Sequence, residues 1–260
     1  EANGIYTMGD VARCSIENEE LLYKLFGINA EFLIDHSWGY EPCTMKDIKT
    51  FKPATNSIST GQVLHCPYNY EQTKLIIKEM TDLLVLDLVE KQLVTNQIVL
   101  TVGYDVDNLI DPNLRHSYNG EITIDRYGRK IPKHAHGTIN LKEKTSSTKL
   151  IMEAVEELYD RIINKNLLVR RIYVVANNVV NESEIDNSKH TEQISLFVDY
   201  EKQEKEQEAE KKRRDEENKL QHTIIDIKNK YGKNAILKGM NLEKDGTTIE
   251  RNAQIGGHKE

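Results

Sequence analysis

The sequence predicts an α+β chain: a small helical region, a ferredoxin-like domain ordered β-α-β-β-α-β, and a charged helical tail. Three observations predict it. "QIVLTVGYDV" alternates its apolar residues Ile98, Leu100, Val102 and Tyr104, the period of a strand with one buried face. "STKLIMEAVEELYDRII" gathers Leu150, Ile151, Ala154, Val155, Leu158 and Ile162 into one helical stripe. From Glu201 the chain mixes both charge signs and carries no Pro or Gly until Gly232, as a solvated helix does.

Residues 1–50 read as short helices with tight turns, "LLYKLFG" ending in a glycine suited to a C-cap. Residues 51–56, within the Pro-containing "FKPATNS", are a linker. The domain then runs over 57–182. "SISTGQVL" is its first strand, and "YEQTKLIIKEMTDLLVLDLVEK" a long helix burying Ile76, Met80, Leu83, Leu84 and Leu88. After "QIVLTVGYDV" comes a polar insertion with a small hairpin expected around "EITIDRYGRK". "HAHGTINL", the striped helix and "VRRIYVVANNVV" complete the order. Residues 183–200 are a polar linker and 201–260 the tail, where apolar residues return at Leu220, Ile224, Ile225 and Ile227.

Alternation along the strands separates two faces. Ile172, Val174 and Ala176 share one with Ala135, Gly137, Ile139 and Leu141; Arg171, Tyr173 and Asn177 share the other with His134, His136, Thr138 and Asn140. Two helices cover one face of a four-stranded sheet, so the second set is left open. Its donors, cation and aromatic ring suit a sugar-phosphate backbone, and equally suit plain contact with water. Ser57, Ser59 and Thr60 supply hydroxyls beside Gly61, where a phosphate could approach the backbone closely.

The formal net charge is −7, yet Arg115 to Lys149 is locally basic, a footprint for phosphate. Cys14, Cys43 and Cys66 are widely spaced and odd in number, as expected of reduced thiols in a cytoplasmic protein. No apolar run approaches the roughly 20 residues of a membrane span. Asp105 and Asp107 have a metal-friendly spacing but lack a third carboxylate, and "HAH" lacks further ligands, so no metal site is expected. Walker A, GxGxxG and GxSxG motifs are absent.

Taken together, "NGIYTMGDVA", "LLYKLFGINAEFLIDHSWGYEP", "SISTGQVL", "HGTINLKEKTSSTKLIMEAVEELYDRI" and "VRRIYVVANNVV" resemble Y-family translesion DNA polymerases. The similarity is to the UmuC-like (ImpB/MucB/SamB) group of Gram-positive bacteria and their phages. It extends to "YGKNAILKG" and "ERNAQIGGHK" near the C-terminus. The resemblance implies that residues 1–50 are a thumb remnant and 57–182 the little finger, the domain that grips phosphates along the major groove. It also implies a role in DNA damage repair and the SOS response.

Nothing in the chain matches the family's palm and fingers, which hold Mg²⁺ for nucleotidyl transfer. The expectation is therefore a C-terminal portion with no catalytic residue and no cofactor, Mg²⁺ belonging to the parent polymerase. Its DNA-contacting residues would be Ser57, Ser59, Thr60, Gly61, His134, His136, Thr138, Asn140, Arg171, Tyr173 and Asn177.

"QISLF", from Gln193 through Ile194, Ser195 and Leu196 to Phe197, resembles the peptide that docks on the sliding clamp (β subunit). In that role Gln193 would hydrogen-bond while Leu196 and Phe197 fill an apolar cleft. The expected partners are thus primer-template DNA and the clamp, with no membrane. The alternatives are a stand-alone ferredoxin-like RNA-binding module, which would want an aromatic pair on its inner strands, and an interaction protein, which would want an apolar seam on the tail helix. Tyr173 is the only aromatic residue of those strands, and Ala209 the only apolar residue from 201 to 219.

Overall fold

The computed structural model describes residues 3–51, 56–125, 127–184 and 200–254. The chain divides into two compact units, Glu1–Thr55 and Asn56–Glu260.

In the first unit, α1 (Met8–Glu17), α2 (Glu19–Phe26), α3 (Asn29–Ser37) and α4 (Met45–Thr50) follow one another closely. Thr7 and Asp10 form a capping box at the start of α1, and Thr44 and Asp47 another at α4. Gly27, at φ +58°, ends α2, its N–H donating to Tyr23 O at 2.8 Å. The core is small: Val11, Leu22 and Ala30, ringed by Ile5, Cys14, Leu33 and Ile34.

The second unit begins with β1 (Ile58–Tyr68), α5 (Tyr70–Glu90) and β2 (Leu93–Tyr104). An insertion follows: α6 (Asp107–Ile110), α7 (Pro112–Ser117) and the hairpin of β3 (Ile122–Ile124) and β4 (Lys130–Pro132). Then come β5 (Ala135–Thr145), α8 (Thr148–Ile162), β6 (Val169–Asn177) and the short β7 (Val180–Asn181). The tail supplies α9 (Tyr200–Tyr231) and α10 (Thr248–Asn252).

The sheet order is β1-β6-β2-β5, every neighbour antiparallel. Each long helix therefore joins two parallel strands with a third strand between them. The element order is the one the sequence predicts, but the strand order corrects the ferredoxin-like expectation. That fold has the first and third strands at its centre; here β2 and β6, the second and fourth major strands, are central. Periodicity identifies which side of each strand is buried. Both orders bury that same side, so pairing, a non-local choice, leaves no mark on it.

Helices α5 and α8 cover one face. Ile76, Met80, Leu84 and Leu88 of α5 and Ile151, Val155, Leu158 and Tyr159 of α8 pack on Ile98, Leu100, Val102, Ile172, Val174 and Ala176. Each buried aliphatic side chain contributes about 1.5–3 kcal/mol. Helix α5 is buried on more than this side: Glu79, Asp82 and Leu86 are also inaccessible, because the tail wraps its outer surface.

The tail docks through few apolar groups and many polar ones. Ile225 joins the main core with Ile224 beside it, while Gln221 Nε2 donates to Ser146 O at 3.0 Å and Thr148 Oγ1 at 2.9 Å. The Glu217 carboxylate accepts from Ser147 Oγ at 2.7 Å and Lys149 N at 3.1 Å, reinforcing the start of α8. Beyond α9, Lys238 pairs with Asp82. The buried Glu79 carboxylate accepts from Asn241 Nδ2 at 3.0 Å, Thr247 N at 2.8 Å and Thr248 N at 3.2 Å. Arg251 then reaches β1, donating to Thr60 Oγ1 at 2.8 Å, Gln62 Oε1 at 3.1 Å and Gly61 O at 3.2 Å. At the opposite outer strand, Arg161 Nη2 donates to Thr138 O at 2.8 Å.

Candidate nucleic-acid interface

The face of the sheet away from α5 and α8 is built by strand alternation and registered across four strands. Its central row is Gly61, Tyr173, Thr101 and His136, paired successively from β1 through β6 and β2 to β5. Ser59, Val175, Val99 and Thr138 form the next row, and Asn177, Gln97 and Asn140 the row beyond. On the other side lie Val63, Arg171 and Gly103.

The rows are knit by side-chain hydrogen bonds. Gln97 Nε2 donates to Asn140 Oδ1 at 2.9 Å, and Asn177 Nδ2 donates to Gln97 Oε1 at 3.2 Å. Thr101 Oγ1 and His136 Nδ1 are 2.9 Å apart, and the His134 ring meets that of His136 edge-on, with centroids 6.3 Å apart. Tyr173, 44% exposed, lies against Gly61: a Cβ at residue 61 would come within 2.7 Å of its ring. Gly103 makes similar room for Arg171, whose Cβ would lie 3.3 Å from a Cβ there. The Tyr173 ring and the first carbons of the Arg171 side chain thus lie beside glycines, where no side chain crowds them.

Of the eleven residues the sequence nominates, Ser59, Gly61, His136, Thr138, Asn140, Arg171, Tyr173 and Asn177 share this face. His134 is exposed immediately before β5, and Ser57 is exposed immediately before β1. Thr60 lies on the opposite side, with Ile58, Gln62 and Leu64, where it is held by Arg251. Grouping Ser59, Thr60 and Gly61 as one cluster overlooks the alternation that parts Thr60 from its neighbours. Conversely, Gln97, Val99, Thr101 and Gly103 belong to the face although the sequence reading does not nominate them. The signal for them is present, as the complement of the alternation through Ile98, Leu100 and Val102. The segment Gln193–Phe197 lies outside the described residues.

Asp105 and Asp107 open a loop. Asp105 Oδ1 accepts from Asp107 N at 2.9 Å, and its other oxygen lies 3.7 Å from Arg170 Nε. Among the described residues, no three His, Cys, Asp or Glu side chains gather as a metal site, and no helix is long and apolar enough to cross a membrane.

The chain has relatives among known proteins. Residues 55–196 match the family model of the impB/mucB/samB family C-terminal domain, and the chain belongs to that family. It is 27% identical over 259 residues to UvrX of Bacillus subtilis (strain 168), a protein named for UV-damage repair. That alignment takes in 98% of the chain and 50% of UvrX, so the chain spans about half the length of this curated relative. It also bears a likeness to the solved post-insertion binary complex of Dbh DNA polymerase, at 15% identity and a TM-score of 0.30, covering 69% of this chain and 43% of that one. A TM-score so low does not establish a shared fold.

Proposed function

We propose that the chain is the DNA-holding and clamp-docking portion of an error-prone translesion DNA polymerase that acts in DNA damage repair, with residues 57–182 as its little finger. One observation carries this reading: the open face, where four strands present amides, hydroxyls, imidazoles, a guanidinium and a single ring in register. Groups of this kind bond phosphate and sugar oxygens and carry no base code, so they hold a duplex whatever its sequence. That suits an enzyme working across damaged bases. Family membership and the name of UvrX support the assignment to repair. The Mg²⁺ ions of nucleotidyl transfer would belong to palm residues with no counterpart in this chain, which by itself would not polymerise.

The test is a fluorescence-anisotropy titration with a primer-template at several salt concentrations. Binding should weaken steeply from 50 to 200 mM salt, by about tenfold for every two phosphates that the protein neutralises, and differ little between sequences. Arg171→Ala and Asn140→Ala should each weaken it on every sequence alike. Sequence-specific binding that persists at high salt would overturn the reading.

Clamp docking rests on the resemblance of Gln193–Phe197 to a clamp-binding peptide. Calorimetry with a bacterial sliding clamp should give micromolar binding that Leu196→Ala/Phe197→Ala abolishes. A folded sample that does not bind returns these residues to packing.

A further inference from the structure

The β3–β4 hairpin takes no part in the interface above, yet its turn is well bonded and its side chains are exposed. Its turn is closed by Asp125, whose side chain is 6% exposed. One carboxylate oxygen of Asp125 accepts from Tyr127 N and Arg129 N, both at 2.9 Å, and the other accepts from Arg129 Nε, also at 2.9 Å. Gly128 supplies the left-handed step, at φ +78°. Hydrogen bonding to Arg129, foremost, holds the Asp125 carboxyl below the usual carboxylate range.

This scaffold displays what a globular surface ordinarily hides. Ile124 is 70% exposed and Tyr127 62%, with Ile122 beside them at 37%. The Arg129 guanidinium carbon lies 5.2 Å from the centroid of the Tyr127 ring. Lys130 and Lys133 follow, and the two acids of the hairpin, Asp125 and Glu121, are engaged by Arg129 and Lys133. Two residues past β4 the chain reaches His134, whose ring meets that of His136 on the open face, so this surface is continuous in sequence with the polar sheet.

We infer that the β3–β4 hairpin is a second nucleic-acid contact, whose Tyr127–Arg129 tip stacks on unpaired bases of a strand extending from the duplex. This rests on the DNA-holding role of the sheet. Along its length a duplex offers phosphates, for which lysines and amides suffice; unpaired nucleotides offer base faces to a ring and a guanidinium. The exposed isoleucines extend the apolar side of that stack, while Lys130 meets the backbone.

The experiment uses the whole chain and two DNAs: a blunt duplex, and the same duplex with a single-stranded extension. Tyr127→Ala should weaken binding to the extended DNA by about five- to tenfold and leave the blunt duplex unchanged. Tyr127→Trp should restore it. Tyr127 is exposed, so circular dichroism should match the parent for both variants. Equal loss on both DNAs, or loss on neither, overturns the inference and leaves the sheet's role intact. Failure of the parent chain to bind either DNA overturns both.

Discussion

Thr60 Oγ1 accepts a hydrogen bond from Arg251 Nη2 at 2.8 Å, tying the first strand of the sheet to the far end of the chain, 191 residues away. The same guanidinium takes Gly61 O and Gln62 Oε1. Arg251→Met keeps most of the stem and removes these bonds, so it should cost about 1–3 kcal/mol. Denaturant unfolding gives the value. Native-state hydrogen exchange should show the loss confined to α10 and β1 if the tail releases locally.

Glu79 is the deeper anchor. Removing its carboxylate leaves Thr247 N and Thr248 N without their acceptor, and Asn241 Nδ2 with its longer bond to Thr248 Oγ1 at 3.3 Å. Glu79→Ala should therefore destabilise by more than Arg251→Met, about 3–5 kcal/mol for several stranded donors. Limited proteolysis should then cut the segment after α9. A variant as stable as the parent would mean that the tail contributes nothing to folding.

Gly61 and Tyr173 act as one unit on the open face. A Cβ at residue 61 meets the ring at 2.7 Å, and the ring, half exposed, must swing away. Gly61→Ala should change stability by less than about 1 kcal/mol, because the displaced group is the end of a movable side chain. It should weaken DNA binding as much as Tyr173→Ala does. The double variant should bind like either single one, a non-additivity measured by a double-mutant cycle.

Acid acts on α1 through Asp10. Hydrogen bonds from Tyr6 N, foremost, and from Thr7 hold its carboxyl down at about 2, against an ordinary 3.8. The folded value lies below the unfolded one, so the capping contribution is complete above pH about 4 and fades as pH falls through about 2. Carboxyl titration by NMR should find Asp10 the most acid-shifted carboxyl of the first unit. Asp10→Asn should remove the pH dependence of α1 in that window.

Much of the open face can be read in the sequence, since alternation fixes which side of a strand each residue takes. Arg171, Tyr173 and Asn177 are found where that rule puts them. Thr60 is misplaced only when the rule is set aside for a cluster of hydroxyls. The tail is illegible for a different reason. Its tethers are single polar residues, Gln221, Lys238, Asn241 and Arg251, each of which reads locally as solvated surface. Their partners Glu79, Asp82 and Thr60 lie more than 70 residues away, and among the described tail residues Ile225, with Ile224 beside it, carries the hydrophobic signal into the core. The strand order is hidden likewise, because two interleavings of the same amphipathic strands have the same periodicity.

The arginines seated on the outer strands have a consequence for how the protein behaves in company. An outermost strand normally offers a ladder of amides and carbonyls to any extended chain that drifts by, the opening move of fibril growth. Here a rung on either side is occupied, at Gly61 by Arg251 and at Thr138 by Arg161. An intruding strand must first evict a charged group from its seat. One carbonyl on each outermost strand is thus already engaged by a charged group.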